Sequence, residues 1–145
     1  MSGLSIAHPL ALMSTFVWMG FVGAISFMES WVKFKAPNVD LSVGLGIGRL
    51  VFRALNYVEW GLALIIAFSV VLPGDAIFTP ENLTYFIPLA IIALQSFWML
   101  PVLNQRATKV IVGEQLPKSY LHFYYVGAEM IKMTCLLLFG WALLN

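Results

Sequence analysis

Charged residues are scarce in this sequence of 145 residues. They make up 10% of the chain, whereas hydrophobic residues make up 61%. A soluble domain carries about 25% charged residues, so the composition excludes an ordinary soluble protein and predicts an integral membrane protein in a lipid bilayer. The formal net charge is only +1, which gives no reason to expect nucleic acid as a partner.

Cysteine is nearly absent, and so are the motifs of common metal sites. Cys135 is the only cysteine, so the chain cannot form an internal disulfide, and its apolar surroundings predict a packed thiol. The Glu-x-x-His motif of di-iron helix bundles is missing from the sequence. We therefore predict no metal site, and the sequence does not identify a cofactor.

Four long apolar stretches predict the fold. They cover residues 10–31, 48–72, 83–103 and 119–144, and each approaches or exceeds the roughly 20 residues needed to cross a hydrocarbon core. They are expected to be helices, because an isolated strand cannot satisfy its backbone polar groups in lipid. Short links favour antiparallel neighbours, so we predict an all-α membrane protein, with residues 1–145 forming one up-down-up-down bundle of four transmembrane helices.

Lysine and arginine are absent from one side of this predicted domain. All the basic residues except Lys132 lie at or near the other side: Lys33, Lys35, Arg49, Arg53, Arg106, Lys109 and Lys118. The positive-inside rule then predicts that both basic loops are cytoplasmic and both termini are outside. In a bacterium this corresponds to the inner membrane.

Helices two and four each carry a row of polar residues inside an apolar stretch. The steps are four, three and three on helix two, and three, four and three on helix four, so each row is expected on one helical face. The rows are Arg49, Arg53, Asn56 and Glu59, then His122, Tyr125, Glu129 and Lys132. Since an unpaired buried charge is costly, we predict the ion pairs Glu59–Lys132 and Arg53–Glu129 across the core.

Helices one and three add polar groups at matching depths. Glu29 lies near the cytoplasmic end of helix one, and Pro101 is expected to kink helix three and open the bundle on that side. The sequence thus predicts a polar cavity that opens to the cytoplasm. Its candidate ligand-binding residues are Glu29, Arg53, Asn56, Glu59, Gln95, Asn104, His122, Tyr125, Glu129 and Lys132.

Several of these features also have plainer interpretations. The charged network is equally explained as a device that only fixes helix register. Lys33, Arg49 and Arg106 are expected to reach lipid head groups, and Trp18 is expected to be a packing residue. The glycine-rich residues 44–48 lack the Lys-Ser/Thr of a phosphate loop, so they indicate a flexible lead-in or close helix packing.

A shift of 70 residues brings the two halves of the chain into partial correspondence. It places Ser26-Phe27 on Ser96-Phe97 and Glu59 on Glu129, and the hydropathy of the two hairpins also matches. This pattern suggests a parallel repeat of two helical hairpins.

Three short motifs resemble a known family. Ser26-Phe27 in helix one, Pro101-x-x-Asn104 at the end of helix three and Leu121-His122 at the start of helix four are similar to the small four-helix membrane proteins that include the anthrone-oxygenase-like proteins. That family tends to have an arginine one turn after the histidine, where this chain has Tyr124-Tyr125. The resemblance implies a role for His122 and Asn104.

Three functions follow as hypotheses. The first is a cavity that binds or translocates a small ligand or proton, which implies a homo-oligomer because four helices are few for a transporter. The second is a membrane-embedded enzyme acting on a lipophilic substrate, with His122 or Glu129 as general base and Arg53 stabilising an anion. The third is an accessory subunit of a larger membrane complex. No nucleophile motif supports the second, and no catalytic residue is assigned.

Overall fold

Four long helices make up most of the chain. The structure, a computed structural model, describes residues 7–73 and 79–145, and no strand occurs among them. We label the helices α1 (Pro9–Lys35), α2 (Leu41–Val71), α3 (Asn82–Ile111, with a first turn beginning at Pro80) and α4 (Leu121–Ala142). All four are long and apolar enough to cross a membrane.

Two of the helices contain a π-helical stretch. In α1 the α-helix Pro9–Val22 is followed by the π-helical stretch Gly23–Glu29, and a short 3₁₀ turn, Lys33–Lys35, ends the helix. In α3 the π-helical stretch is Gln95–Met99. It directly precedes Pro101, where the sequence predicts an irregularity. Proline lacks an N–H and its ring crowds the carbonyl four residues back, and the wider π turn accommodates both effects.

The helices surround one core, with α2 and α4 on a diagonal. Helix α1 packs against α2 and α4, and α3 packs against the same two helices. One end of the core is apolar and is filled by residues from all four helices: Ala11, Trp18, Val22, Ala63, Ile66, Val70, Tyr85, Ile92, Leu136 and Phe139. The charged side chains of the core lie beyond this layer, toward the other end.

Helix α2 begins at Leu41, well before the predicted start at residue 48. Asp40 caps it, since its Oδ1 accepts a hydrogen bond from the Val43 N–H at 2.8 Å. The glycine-rich residues therefore lie within the helix and are not a flexible lead-in. A Cβ on Gly44 would come within 2.1 Å of the Phe34 ring, so this glycine permits close packing of α2 on the end of α1.

Helix α3 also extends beyond its predicted end at residue 103. It continues to Ile111 through turns that are amphipathic and no longer purely apolar. It ends before Gly113, which has a φ of +91°. At its start the Thr79 Oγ1 accepts a hydrogen bond from the Asn82 N–H at 3.3 Å, so Thr79 is the N-cap of this helix.

Candidate functional site

Three charged side chains lie together in the core with no exposed surface. Glu59 comes from the middle of α2, and Glu129 and Lys132 come from successive turns of α4; each is 0% exposed. The Lys132 ammonium forms a salt bridge with Glu59 and another with Glu129 Oε1, the latter at 2.8 Å. The predicted pair between Glu59 and Lys132 is therefore confirmed.

The other two helices supply neutral partners to these charges. The Trp18 indole N–H donates to Glu59 Oε1 at 2.7 Å, and the Ser26 hydroxyl donates to Glu129 Oε2 at 3.1 Å; both residues are on α1. From α3, the Gln95 carbonyl oxygen accepts from Lys132 at 2.8 Å and its amide donates to Glu129 Oε1. We call these residues the central network: Trp18, Ser26, Glu59, Gln95, Glu129 and Lys132.

The π-helical stretches hold two members of this network. Ser26 lies within the stretch in α1, and Gln95 begins the stretch in α3. In each helix a nearby serine bonds back to the main chain: the Ser30 hydroxyl donates to the Ser26 carbonyl, and the Ser96 hydroxyl to the Ile92 carbonyl, both at 2.7 Å. Single-turn π-helices are often found at functional sites. Here each stretch supplies one side chain, Ser26 or Gln95, that donates a hydrogen bond to Glu129.

Arg53 lies outside the network, on the exposed face of α2. The expected pair with Glu129 is not formed, since Glu129 bonds to Lys132, Gln95 and Ser26 instead. The reason is helical geometry. Two successive steps of three residues turn Arg53 about 120° away from Glu59, because a helix advances about 100° per residue. On α4 the step of four between the two steps of three keeps the row together.

Asn56 takes part in a separate polar contact between α2 and α3. Its side-chain amide donates to the Ser96 hydroxyl at 2.8 Å, and the Trp60 indole N–H donates to the same oxygen at 2.9 Å. Asn56 therefore joins two helices but bonds to no member of the central network within the described residues.

A pocket of about 250 Å³ lies beside the network, at the end of the bundle opposite the apolar layer. The end of α1, the start of α2, the end of α3 and the start of α4 all line it. Its polar lining residues are Ser30, Lys33, Arg49, Asn104, His122 and Tyr125, and its apolar walls include Phe34, Leu45, Phe52, Leu100 and Leu103. The mixture of apolar walls and a few polar groups is typical of a small-molecule site.

Two cationic side chains of this pocket have different environments. The Lys33 ammonium pairs with Glu29 at 3.3 Å and lies near the ring faces of Phe34 and Phe52. The Nε atom of Arg49 is buried and has no hydrogen-bond partner among the residues that the structure describes. An unpartnered buried donor is costly, so a ligand that supplies a hydrogen-bond acceptor to the Arg49 Nε would be favoured.

Tyr125 connects the pocket to the network. Its ring lines the pocket and packs edge-on against Phe52 at 5.5 Å between centroids, while the side chain is only 2% exposed. Tyr125 precedes Glu129 by four residues on α4, so its buried hydroxyl belongs to the same face of the helix as the Glu129 carboxyl group. Within the described residues that hydroxyl has no hydrogen-bond partner.

The structure thus divides the predicted site residues into groups. The network contains Glu59, Gln95, Glu129 and Lys132; the pocket is lined by Asn104, His122 and Tyr125, and Glu29 adjoins it through Lys33. Sequence reasoning assigned Lys33 and Arg49 to head groups and Trp18 to packing. The signal for Trp18 is that a buried indole N–H usually needs an acceptor, which Glu59 provides.

The two halves of the chain contribute corresponding elements to the central network. Under a shift of 70 residues, the π-helical residues 95–99 of α3 fall on residues 25–29 of the π-helical stretch in α1. The same shift relates Glu59 to Glu129, and both carboxylates contact Lys132. The structure therefore adds matching backbone irregularities to the correspondences visible in the sequence.

Chemically, the arrangement combines a pocket for an apolar body with cationic groups at its wall and a buried acid–base network behind it. Arg49 and Tyr125 both line the pocket, and each has a buried donor without a partner among the described residues. In comparisons with known proteins, no family model, no curated protein and no solved structure matches this chain.

Proposed function

We propose that this chain is an integral membrane protein that binds a small amphipathic anion in the pocket beside the central network. The observation that carries the proposal is the buried, unpartnered Nε of Arg49 in a pocket with largely apolar walls. The four helices alternate in direction across the bilayer, as an up-down-up-down bundle, and the pocket opens to the cytoplasm.

The outer surface of the bundle supports membrane insertion. Large apolar side chains are exposed on every helix, including Phe16 on α1, Leu64 on α2, Phe97 on α3 and Leu138 on α4; Phe97 is 80% exposed. Such side chains on all sides of a bundle are stable in lipid, whereas in water they would form a very large exposed apolar surface.

The distribution of charge supports the orientation. Lys33 and Arg49 line the pocket, and the basic residues Arg106 and Lys118 belong to the same end of the helices. Cytoplasmic loops are enriched in lysine and arginine, so this end is the cytoplasmic one and both termini are outside. For a bacterial protein, the location is the inner membrane.

The pocket's lining supports the class of ligand. Lys33 and Arg49 carry two positive charges, and Glu29, which pairs with Lys33, offsets one of them. The remaining charge favours a ligand with one negative group, and a guanidinium is suited to a carboxylate or phosphate. Phe34, Phe52 and neighbouring leucines provide contacts for an apolar ring or short chain.

Isothermal titration of the purified protein in detergent tests this proposal. Benzoate and octanoate are compared with their neutral amides, and phosphatidylglycerol nanodiscs test whether the anion is a lipid head group. We expect a carboxylate to bind more tightly than its amide, and R49Q to remove that preference. The matched control is R53Q, which changes an exposed arginine one turn away on α2. Equal binding of acids and amides, or equal effects of R49Q and R53Q, would contradict the proposal.

Native mass spectrometry complements the titration. It reports a co-purifying small molecule and the oligomeric state of the same sample, so it also tests whether the chain forms a homo-oligomer. A retained ligand is expected to be acidic and to be lost in R49Q but kept in R53Q.

A further inference from the structure

We infer that the central network is a proton-binding site, which holds one exchangeable proton on Glu59 and exchanges it with the pocket past Tyr125. The inference does not depend on which ligand the pocket binds. It follows from the charges, the hydrogen bonds and the position of the network.

The charge count requires a proton. With every group in its usual ionised form, the network would contain two carboxylates and one ammonium, a net charge of −1 at 0% exposure. An uncompensated buried charge costs several kcal/mol, and in practice such a group changes its protonation state instead. One proton on one of the two carboxyl groups makes the network neutral.

The hydrogen bonds identify the carboxyl group that carries it. The Lys132 ammonium donates to Glu59 Oε1 and to the Gln95 carbonyl oxygen, and it lies 2.8 Å from Glu129 Oε1 as an ion pair. Glu129 also accepts from Gln95 and Ser26, so both of its oxygens have donors, as a carboxylate requires. Glu59 Oε2, in contrast, is buried and has no donor within the described chain. A neutral carboxylic O–H is less unfavourable in that position than a carboxylate oxygen, because it carries no uncompensated charge.

The groups facing Glu59 leave Lys132 as its sole cationic neighbour. Helix α4 presents Lys132, Glu129 and Tyr125, of which the first is positive, the second negative and the third neutral. From the other described helices, Trp18 and Gln95 bring neutral groups to the network. Because Lys132 already serves both carboxyl groups, its one charge balances one carboxylate and leaves the other to be neutralised by a proton.

The route to the pocket passes Tyr125. Its hydroxyl and Glu59 Oε2 are both buried polar atoms without a partner among the described residues. A proton on Glu59 can be donated toward Tyr125, directly or through one water, and the Tyr125 ring lines the pocket. On the opposite side the apolar layer closes the core. When the proton leaves for water in the pocket, the Glu59 O–H bond breaks and Glu59 becomes a carboxylate.

Infrared spectroscopy of the protein in detergent at neutral pH counts the proton, because a carboxylic acid has a carbonyl stretching band that a carboxylate lacks. We expect one such band in the wild type, shifted in deuterated water. Both E59Q and E129Q should lose it, since each leaves one carboxylate for one ammonium. K132M, where it folds, should show a larger band, because both acids are then protonated. A wild type without the band, or a band retained in both single variants, would overturn the inference.

Two conservative variants assign the proton to one glutamate. W18F should shift the frequency of the band, since it removes the indole N–H that bonds to Glu59 Oε1. S26A is the matched control, because the Ser26 hydroxyl bonds to Glu129 instead. A shift in S26A together with none in W18F would place the proton on Glu129 and overturn the assignment to Glu59.

The exchange route is tested with two tryptophan variants. L103W narrows the pocket, whereas L137W adds the same bulk to an exposed position of α4. The band's shift after transfer to deuterated water should be several-fold slower in L103W and unchanged in L137W. Equal exchange rates in L103W and the wild type would overturn the route through the pocket.

Discussion

Glu59 and Glu129 lie 70 positions apart and contact the same ammonium group, that of Lys132. They occupy corresponding places in the two halves of the chain, yet their surroundings differ. Glu129 has donors on both of its oxygens, while Glu59 has them on only one. Two glutamates at corresponding positions of the two halves therefore differ in their hydrogen bonding.

This asymmetry predicts unequal effects of removing the two charges. E59Q should change the free energy of unfolding by about 1 kcal/mol or less, because an amide resembles the protonated acid in shape and charge. E129Q should cost about 2–3 kcal/mol, since its amide N–H₂ would face donors from Lys132, Gln95 or Ser26. Thermal unfolding in detergent, followed by circular dichroism, compares the two. Equal losses would contradict the assignment of Glu129 as the ionised acid.

The hydrogen bond from Lys132 to Glu59 predicts a non-additive double variant. K132M leaves two buried carboxyl groups without a cation and should cost about 3–5 kcal/mol. E59Q should destabilise the protein less in the K132M background than in the wild type, because the hydrogen bond that it would weaken is already lost. The coupling energy from the four proteins of this cycle is the measurement. If the two effects simply add, Glu59 and Lys132 do not interact as the structure shows.

Gln95 is the residue through which α3 joins the network, and its removal should be costly. It accepts from Lys132 and donates to Glu129, so Q95L would leave one buried Lys132 donor unsatisfied and remove one of the two contacts of Glu129 Oε1. We expect a loss of about 2–4 kcal/mol in the free energy of unfolding. The matched control is Q105L, which makes the same change at an exposed position of α3 and should stay within about 0.5 kcal/mol.

These residues also show how far the sequence determines the site. Four apolar stretches located the helices, and rows of polar residues on two of them located the pair Glu59–Lys132, because charges in such stretches need partners. The same reasoning failed for Arg53, since steps of four, three and three do not keep a row on one face. The roles of Ser26 and Gln95 depend on π-helical turns, which rotate the side chains beyond them. No periodicity in the sequence reports such turns.

For the glycine-rich start of α2, the sequence leaves a flexible lead-in and close helix packing as alternatives, and the structure shows the second at Gly44. In the structure Gly44 and Gly46 are both helical, but only Gly44 is in close contact with another helix, through the Phe34 ring. Whether a glycine belongs to a flexible segment or to a closely packed helix depends on the side chain that lies against it. The sequence alone does not report that contact.

This difference predicts opposite effects of alanine at the two glycines. G44A would place a methyl group within 2.1 Å of the Phe34 ring and should lower the free energy of unfolding by about 1–3 kcal/mol. G46A meets nothing within 4 Å and should be neutral or stabilising by up to about 1 kcal/mol, since alanine favours the helix. Thermal unfolding of both variants provides the comparison.

Adding F34A should recover part of the loss in G44A, because the smaller side chain removes the clash. A stable G44A with an unchanged pocket would show that α1 and α2 do not pack closely at this end.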